Sequence, residues 1–234
     1  YTKKDGLNDP SIENLFQTKD GTIIMTSLSG SINQYKNNEI SDFKYSNYIS
    51  TDRITSIIED FDNNLWMTSD GAGVYKIKNG VVENLSTDNK ALSSNQLFVV
   101  YQSKDSTMWF GTYGDGIIAY NNDGEVKNYK QEYSRGLESN QIIDIIQDNK
   151  GVMWFATLGG GITSFDGINF KNYDLGVQDF STIQIDMFDN IWFASNGGGF
   201  FMYDGVKFEN YNIDDGILSN NINLLVFDNA NNLW

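Results

Sequence analysis

Apolar residues in this chain come in short bursts divided by polar turns, with no sustained helical periodicity. A first burst such as Ile54-Thr55-Ser56-Ile57-Ile58-Glu59-Asp60 or Ile142-Ile143-Asp144-Ile145-Ile146-Gln147-Asp148 is followed by a turn like Asp62-Asn63-Asn64 or Asn149-Lys150-Gly151. A second burst holds a tryptophan, and a glycine-rich turn closes it: Asp70-Gly71-Ala72-Gly73, Gly114-Asp115-Gly116, Gly159-Gly160-Gly161 or Gly197-Gly198-Gly199. A third burst ends on Tyr75, Tyr120, Phe165 or Tyr203, and a fourth often runs aromatic-x-x-Tyr, as in Phe170 to Tyr173 and Phe208 to Tyr211. Short runs broken by Asn-Gly and Asp-Gly turns are hairpin signals, so each unit predicts a four-stranded antiparallel meander.

The unit repeats. Four tryptophans stand in matching settings, at Leu65-Trp66-Met67, Met108-Trp109-Phe110, Met153-Trp154-Phe155 and Ile191-Trp192-Phe193, and Trp234 follows Leu233 at the chain's end. An earlier copy, Ile23-Ile24-Met25, has Ile24 in the tryptophan position. The six positions lie 42, 43, 45, 38 and 42 residues apart. A meander repeated at about 42 residues predicts an all-β fold, a β-propeller with four-stranded antiparallel blades. The tryptophan is expected to pack between neighbouring blades. Five full blades fall near 12–45, 54–85, 97–129, 142–173 and 181–211, with a partial blade at 222–234. Tyr1-Thr2-Lys3-Lys4-Asp5-Gly6-Leu7 echoes the link Tyr211-Asn212-Ile213-Asp214-Asp215-Gly216-Ile217. Trp234 stands inside the second strand of the sixth copy, so the expectation is an incomplete ring within a larger ring or tandem ring.

Composition narrows the chemistry. Apolar residues are 40% and aromatics 14%, which is a core-building rather than a disordered composition. The net charge of −15 opposes nucleic acid and anionic lipid as partners. No cysteine and no histidine is present, which removes disulfides, thiolate nucleophiles and the commonest general base and metal ligand. No run of about 18 apolar residues is present either.

The blade motif, written in this chain's residues, is Ile-x-x-Ile-x-x-Asp (Ile54, Ile57, Asp60), an Asn/Gly turn, Leu-Trp-Met-Thr and Gly-x-Gly. The links Gly136-Leu137-Glu138-Ser139-Asn140-Gln141-Ile142 and Gly216-Ile217-Leu218-Ser219-Asn220-Asn221-Ile222 echo one another. Together these resemble the two-component regulator propeller repeat. The first copy departs from it by lacking tryptophan, and the fifth by having Thr182-Ile183-Gln184-Ile185-Asp186 where the Ile-x-x-Ile-x-x-Asp opening is expected. The resemblance implies the extracytoplasmic, periplasmic sensor region of a bacterial hybrid two-component regulator. It implies tandem propellers followed by a β-sandwich, a membrane helix and a histidine kinase or other output domain. It also implies carbohydrate sensing and a homodimer of the full-length regulator.

Several constellations invite a chemical reading. Asp60-Phe61-Asp62-Asn63-Asn64 and Asp186-Met187-Phe188-Asp189-Asn190 look like calcium loops, but Leu65 and Gly71 stand where an EF-hand needs Gly and Glu. Hairpin-turn chemistry accounts for them better, and no metal or cofactor is expected. Gly159-Gly160-Gly161 joins two strands, whereas a phosphate cradle leads into a helix. Asp70 and Asp115 could form a glycosidase pair, against a reading as solvated loop acids. The residues least explained by folding are those that vary between otherwise matching turns: Leu28, Asp70, Tyr113, Asp115, Leu158 and Asn196. Tyr113, Asp115, Asp70 and Asn196 are the candidate ligand-binding residues, with Tyr113 able to stack on the apolar face of a sugar. A Tyr113 lying on its own blade's rim is the competing reading. The expected function is non-catalytic recognition of an oligosaccharide or other small ligand. The alternatives are a polysaccharide-acting propeller enzyme and a protein-interaction scaffold.

Overall fold

The computed structural model describes residues 1–50 and 52–234. Twenty strands form five four-stranded sheets in which strand order follows chain order. The first sheet holds β1 (Ile12–Gln17), β2 (Ile23–Ser27), β3 (Ile32–Lys36) and β4 (Glu39–Asp42), and the second β5 (Ile54–Glu59), β6 (Leu65–Ser69), β7 (Val74–Lys78) and β8 (Val81–Leu85). The third holds β9 (Leu97–Gln102), β10 (Met108–Thr112), β11 (Ile117–Tyr120) and β12 (Val126–Tyr129). The fourth comprises β13 (Ile142–Gln147), β14 (Met153–Thr157), β15 (Ile162–Phe165) and β16 (Phe170–Tyr173). The fifth comprises β17 (Phe180–Ile185), β18 (Ile191–Ser195), β19 (Phe200–Tyr203) and β20 (Phe208–Tyr211). The chain divides into two compact units, Tyr1–Gln102 and Ser103–Trp234. Among the described residues no helix is long and apolar enough to cross a membrane.

The three-residue spacing of the Ile-x-x-Ile-x-x-Asp motif has a structural cause. A flat strand alternates faces at every residue, so residues three apart should point oppositely. In β1, β5, β13 and β17 the register slips by one residue near the strand start, between Ile54 and Ser56 in β5 and between Ile142 and Asp144 in β13. The extra residue of such a bulge returns the third position to the inner face. Ile54 and Ile57 are therefore both buried, as are Ile142 and Ile145. In the fifth sheet Phe180 and Ile183 fill the same two slots, so its opening is retained with phenylalanine in first place.

The acid that ends the motif fixes the next turn. Asp60 Oδ1 accepts the N–H groups of Asp62 and Asn64, and Oδ2 accepts Asn64 Nδ2 and Trp66 Nε1 at 2.8 and 2.7 Å. Asp148 and Asp186 hold Trp154 and Trp192 through Nε1 in the same way, at 3.1 and 3.0 Å. Near the chain's end Asp228 takes the Trp234 indole at 3.0 Å, and Val226 and Trp234 exchange backbone hydrogen bonds. In the third sheet Ser103 Oγ replaces the carboxylate and accepts Trp109 Nε1 at 3.0 Å. The leading acids of the calcium-like sequences, Asp60 and Asp186, are thus spent on their own turns, as local Asx chemistry predicts, while Asp189 Oδ1 accepts Asn149 N of the preceding sheet's turn.

Once anchored, the indole bridges sheets. Trp154 stacks on Tyr173 of its own sheet (5.3 Å, 25°) and meets Phe193 and Tyr203 of the next at 5.8 and 5.2 Å. Trp109 likewise stacks on Tyr129 and touches Phe155 and Phe165. The strands carrying these residues, β6, β10 and β14, are buried throughout. That is why each opens on an unbroken apolar run and closes on a buried hydroxyl.

Candidate functional site

Each glycine-rich turn is tied to the link that follows its sheet. In the first unit Asp70 forms an antiparallel bridge with Gln96, and the amides of Gly71 and Gly73 donate to Asn95 O at 3.0 and 3.1 Å. In the second unit Tyr113 bridges to Gln141 and Asn196 to Asn221. Gly116 N donates to Asn140 O at 3.0 Å, and Gly197 N and Gly199 N donate to Asn220 O at 3.0 and 2.8 Å. The hydroxyl that ends the second strand closes the turn from inside, with Thr112 Oγ1 donating to Gly116 O and Ser195 Oγ to Gly199 O. Gly116 has φ +78°, and a β-carbon there would collide with the Tyr129 carbonyl, so this turn requires glycine.

The rim candidates occupy equivalent built edges, Asp70 in the first unit and Tyr113, Asp115 and Asn196 in the second. Asp70, Tyr113 and Asn196 hold the same position on three sheets, directly after the second strand, and all are exposed, Tyr113 by 51%. Their backbones are fixed by the bridges while their side chains are presented to solvent. Asp115 is half-buried and differs in role. Its N–H donates to Thr112 Oγ1 and its Oδ1 pairs with Lys130 Nζ at 2.8 Å. That bond holds the Lys130 ammonium above its usual range. Leu28 is 59% exposed and Leu158 half-buried; their amides donate to Ser11 O and Gln141 O respectively.

A second feature of the rim was not singled out from the motifs. The link between β16 and β17 spans only 174–179, where that between β12 and β13 spans 130–141. The shortening leaves a mainly polar notch of about 300 Å³ beside the triple-glycine turn. Glu138, Gly160, Asn172, Asp174 and Gln178 line it. The turn's backbone is spoken for: Gly159 N donates to Asp179 Oδ1, Gly161 N to Gln178 O, and Gly160 O accepts Asn172 Nδ2. The signal for it was the 38-residue step between Trp154 and Trp192. Two larger grooves, about 590 Å³ beside Phe43 and Tyr45 and about 610 Å³ beside Trp109 and Tyr129, sit at equivalent places in the repeat. Because they recur with the sheets, folding accounts for them. Among the described residues no cluster of three or more acids suited to a metal ion occurs.

Residues 136–159, from the link into the triple-glycine turn, match the family model of the two component regulator propeller. That segment is similar to a two-component regulator propeller repeat. The matched segment contains the Gly136–Gln141 link, the bulged β13, the Asp148 turn and Trp154, the parts that the geometry shows to work together. No curated protein matches the chain.

Solved structures share the fold. The extracellular domain of a B. thetaiotaomicron protein described as a one component system superposes with a TM-score of 0.75 at 17% identity, covering 97% of this chain and 32% of that one. A streptogramin B lyase gives 0.76 at 15% identity, covering 97% and 76%. A second B. thetaiotaomicron extracellular domain, described as from a hybrid two component system, gives 0.51 at 19% identity over 97% and 38%. This chain therefore spans about a third of the extracellular domains it matches. At these identities the likeness shows the β-propeller fold, in keeping with the five four-stranded sheets.

Proposed function

We propose that this chain is part of the extracytoplasmic sensor region of a bacterial two-component regulator. In this reading it binds a small polar ligand, an oligosaccharide or similar molecule, on the rim of turns and links without transforming it. The region lies in the periplasm, joined to the inner membrane and a histidine kinase or other output domain by the rest of the regulator, which signals as a homodimer. The observation that carries the reading is the rim itself. Backbone bridges hold its turns rigid, while Asp70, Tyr113 and Asn196 vary at the exposed position directly after the second strand. Pre-formed backbone with exchangeable side chains is what a recognition surface needs. The regulator-type repeat at 136–159 supports the signalling context.

An enzymatic reading is favoured by the structural likeness to lyases. Against it, a His-to-Ala variant of virginiamycin B lyase from Staphylococcus aureus is catalytically inactive, and this chain has no histidine to play such a part. A defined panel of neutral and acidic oligosaccharides, titrated calorimetrically and then chromatographed, tests both readings. Binding with intact sugar recovered is expected, weakened roughly tenfold by Tyr113→Ala, equivalent to about 1.4 kcal/mol. Cleaved product would replace the sensor reading with the enzymatic one. Neither binding nor product would leave the protein-interaction scaffold.

A further inference from the structure

The first strands of the sheets reach the next repeat through side chains at or beside their bulges, and at three such places the group used is neutral. Asn14 Nδ2 donates to Ile54 O at 2.8 Å, Thr55 Oγ1 to Leu97 O at 2.7 Å, and Ser181 Oγ to Ile222 O at 2.7 Å. Between the fourth and fifth sheets the joining group, at the strand position of Asn14, is a carboxylate. Asp144 Oδ2 accepts Ile183 N at 2.7 Å and Thr182 Oγ1 at 3.0 Å, and Oδ1 accepts Ile145 N at 2.9 Å.

We propose that Asp144 is a proton-operated joint between the fourth and fifth sheets, ionised when it grips the Ile183 amide and protonated when it instead donates from Oδ2 to Thr182 Oγ1. The step is a simple proton uptake from solvent, with the Thr182 hydroxyl turning from donor to acceptor. No charge opposes it. The strands packed against β13 are β10, β14 and β17, which read MWFGT, MWFAT and FSTIQI and contain no titratable side chain; β13 itself has only Asp144. Burial raises the carboxyl to about 6, although all three hydrogen bonds pull it down. Desolvation of the charge thus outweighs the bonds made to it. This device is independent of which ligand the rim takes.

The sign follows from linkage. A folded-state value above the ordinary 3.8 means that the native chain binds the proton first as pH falls. Asp144 therefore costs stability above pH 6, and the cost is relieved between pH 6 and 4. Carboxyl 13C NMR of the 234-residue chain should show one resonance titrating near pH 6, absent in Asp144→Asn and moved to higher pH in Thr182→Val. The melting temperature of the wild-type chain, relative to Asp144→Asn, should rise by roughly 5 °C between pH 7 and 4.5. A resonance titrating below pH 4.5, parallel melting profiles, or a Thr182→Val midpoint equal to wild type would each overturn the joint. Should Asp144→Asn fail to fold, the titrations of wild type and Thr182→Val decide alone.

Discussion

The first and fourth sheets share strand order and turn path but are secured differently. In the fourth, Asp148 Oδ1 accepts Lys150 N and Val152 N, Oδ2 accepts the Trp154 indole, and the ring reaches into the next sheet. In the first, Thr18 stands in the acid's place and Ile24 in the indole's. Thr18 Oγ1 donates to Asp20 Oδ1 at 2.6 Å and Thr22 O at 3.0 Å. The backbone nevertheless closes the same turn, with Thr18 N bonded to Thr22 O and Gly21 N to Thr18 O. Lys19 then straps the first sheet to the second, giving its Nζ to Asp60 O and Asn63 Oδ1 at 2.9 and 2.8 Å. The third sheet, with Ser103 in the acid's place, has the same strap from Lys104 to Asp148 O. A hydroxyl-Lys-Asp turn and an Asp-headed turn are therefore interchangeable locally. The indole is what differs, and its role is to join sheets rather than to shape the turn.

Trp154→Ala should break this arrangement most severely. Its side chain is buried against three aromatic rings, and removal should cost about 3–5 kcal/mol, read as a lowered urea midpoint. Asp148→Ala strips the buried indole of its acceptor and should cost about 1–3 kcal/mol, whereas Thr18→Val, at a half-exposed turn with no indole to hold, should cost about 1 kcal/mol. Adding an indole to the first sheet sharpens the contrast. Ile24, Phe43, Leu65 and Ile77 are buried together but also line the groove of about 590 Å³, at the place Trp109 takes in the third sheet, so Ile24→Trp should be accommodated at a cost of no more than about 1 kcal/mol. Stabilisation instead would mean that this site is merely short of a tryptophan. Lys130→Met removes only a solvent-screened pair with Asp115, and thermal melting should register a change within about 0.5 kcal/mol.

The repeat was open to reading because its determinants are local. A turn that needs glycine, an acid that takes two nearby amides, and an apolar run buried on both faces leave marks at fixed spacing. The fifth sheet's opening was missed because the first inward slot can hold Phe180 as well as isoleucine, and burial selects for bulk rather than identity. Of the rim residues, Tyr113, Asp70 and Asn196 could be placed from their offset to the tryptophan. The ion pair of Asp115 with Lys130 could not, since it joins residues on either side of two intervening strands. Asp144 left a faint trace, a carboxylate among four isoleucines where the matching strands have Asn14, Ser56, Val99 and Thr182.

By itself, then, the sequence determined the blade: its period, its four strands, its turn residues and the buried line of each second strand, all set by backbone and solvation preferences within about 42 residues. Only the tertiary structure decided what each conspicuous group does. It gave Asp60, Asp148 and Asp186 to their indoles, bound Asp115 to Lys130, and set Asp144 against the amide of Ile183. The first two outcomes depend on which side chains meet within a folded sheet, and the last on which sheet lies next to which and how far water is kept away. Spacing along one strand carries neither.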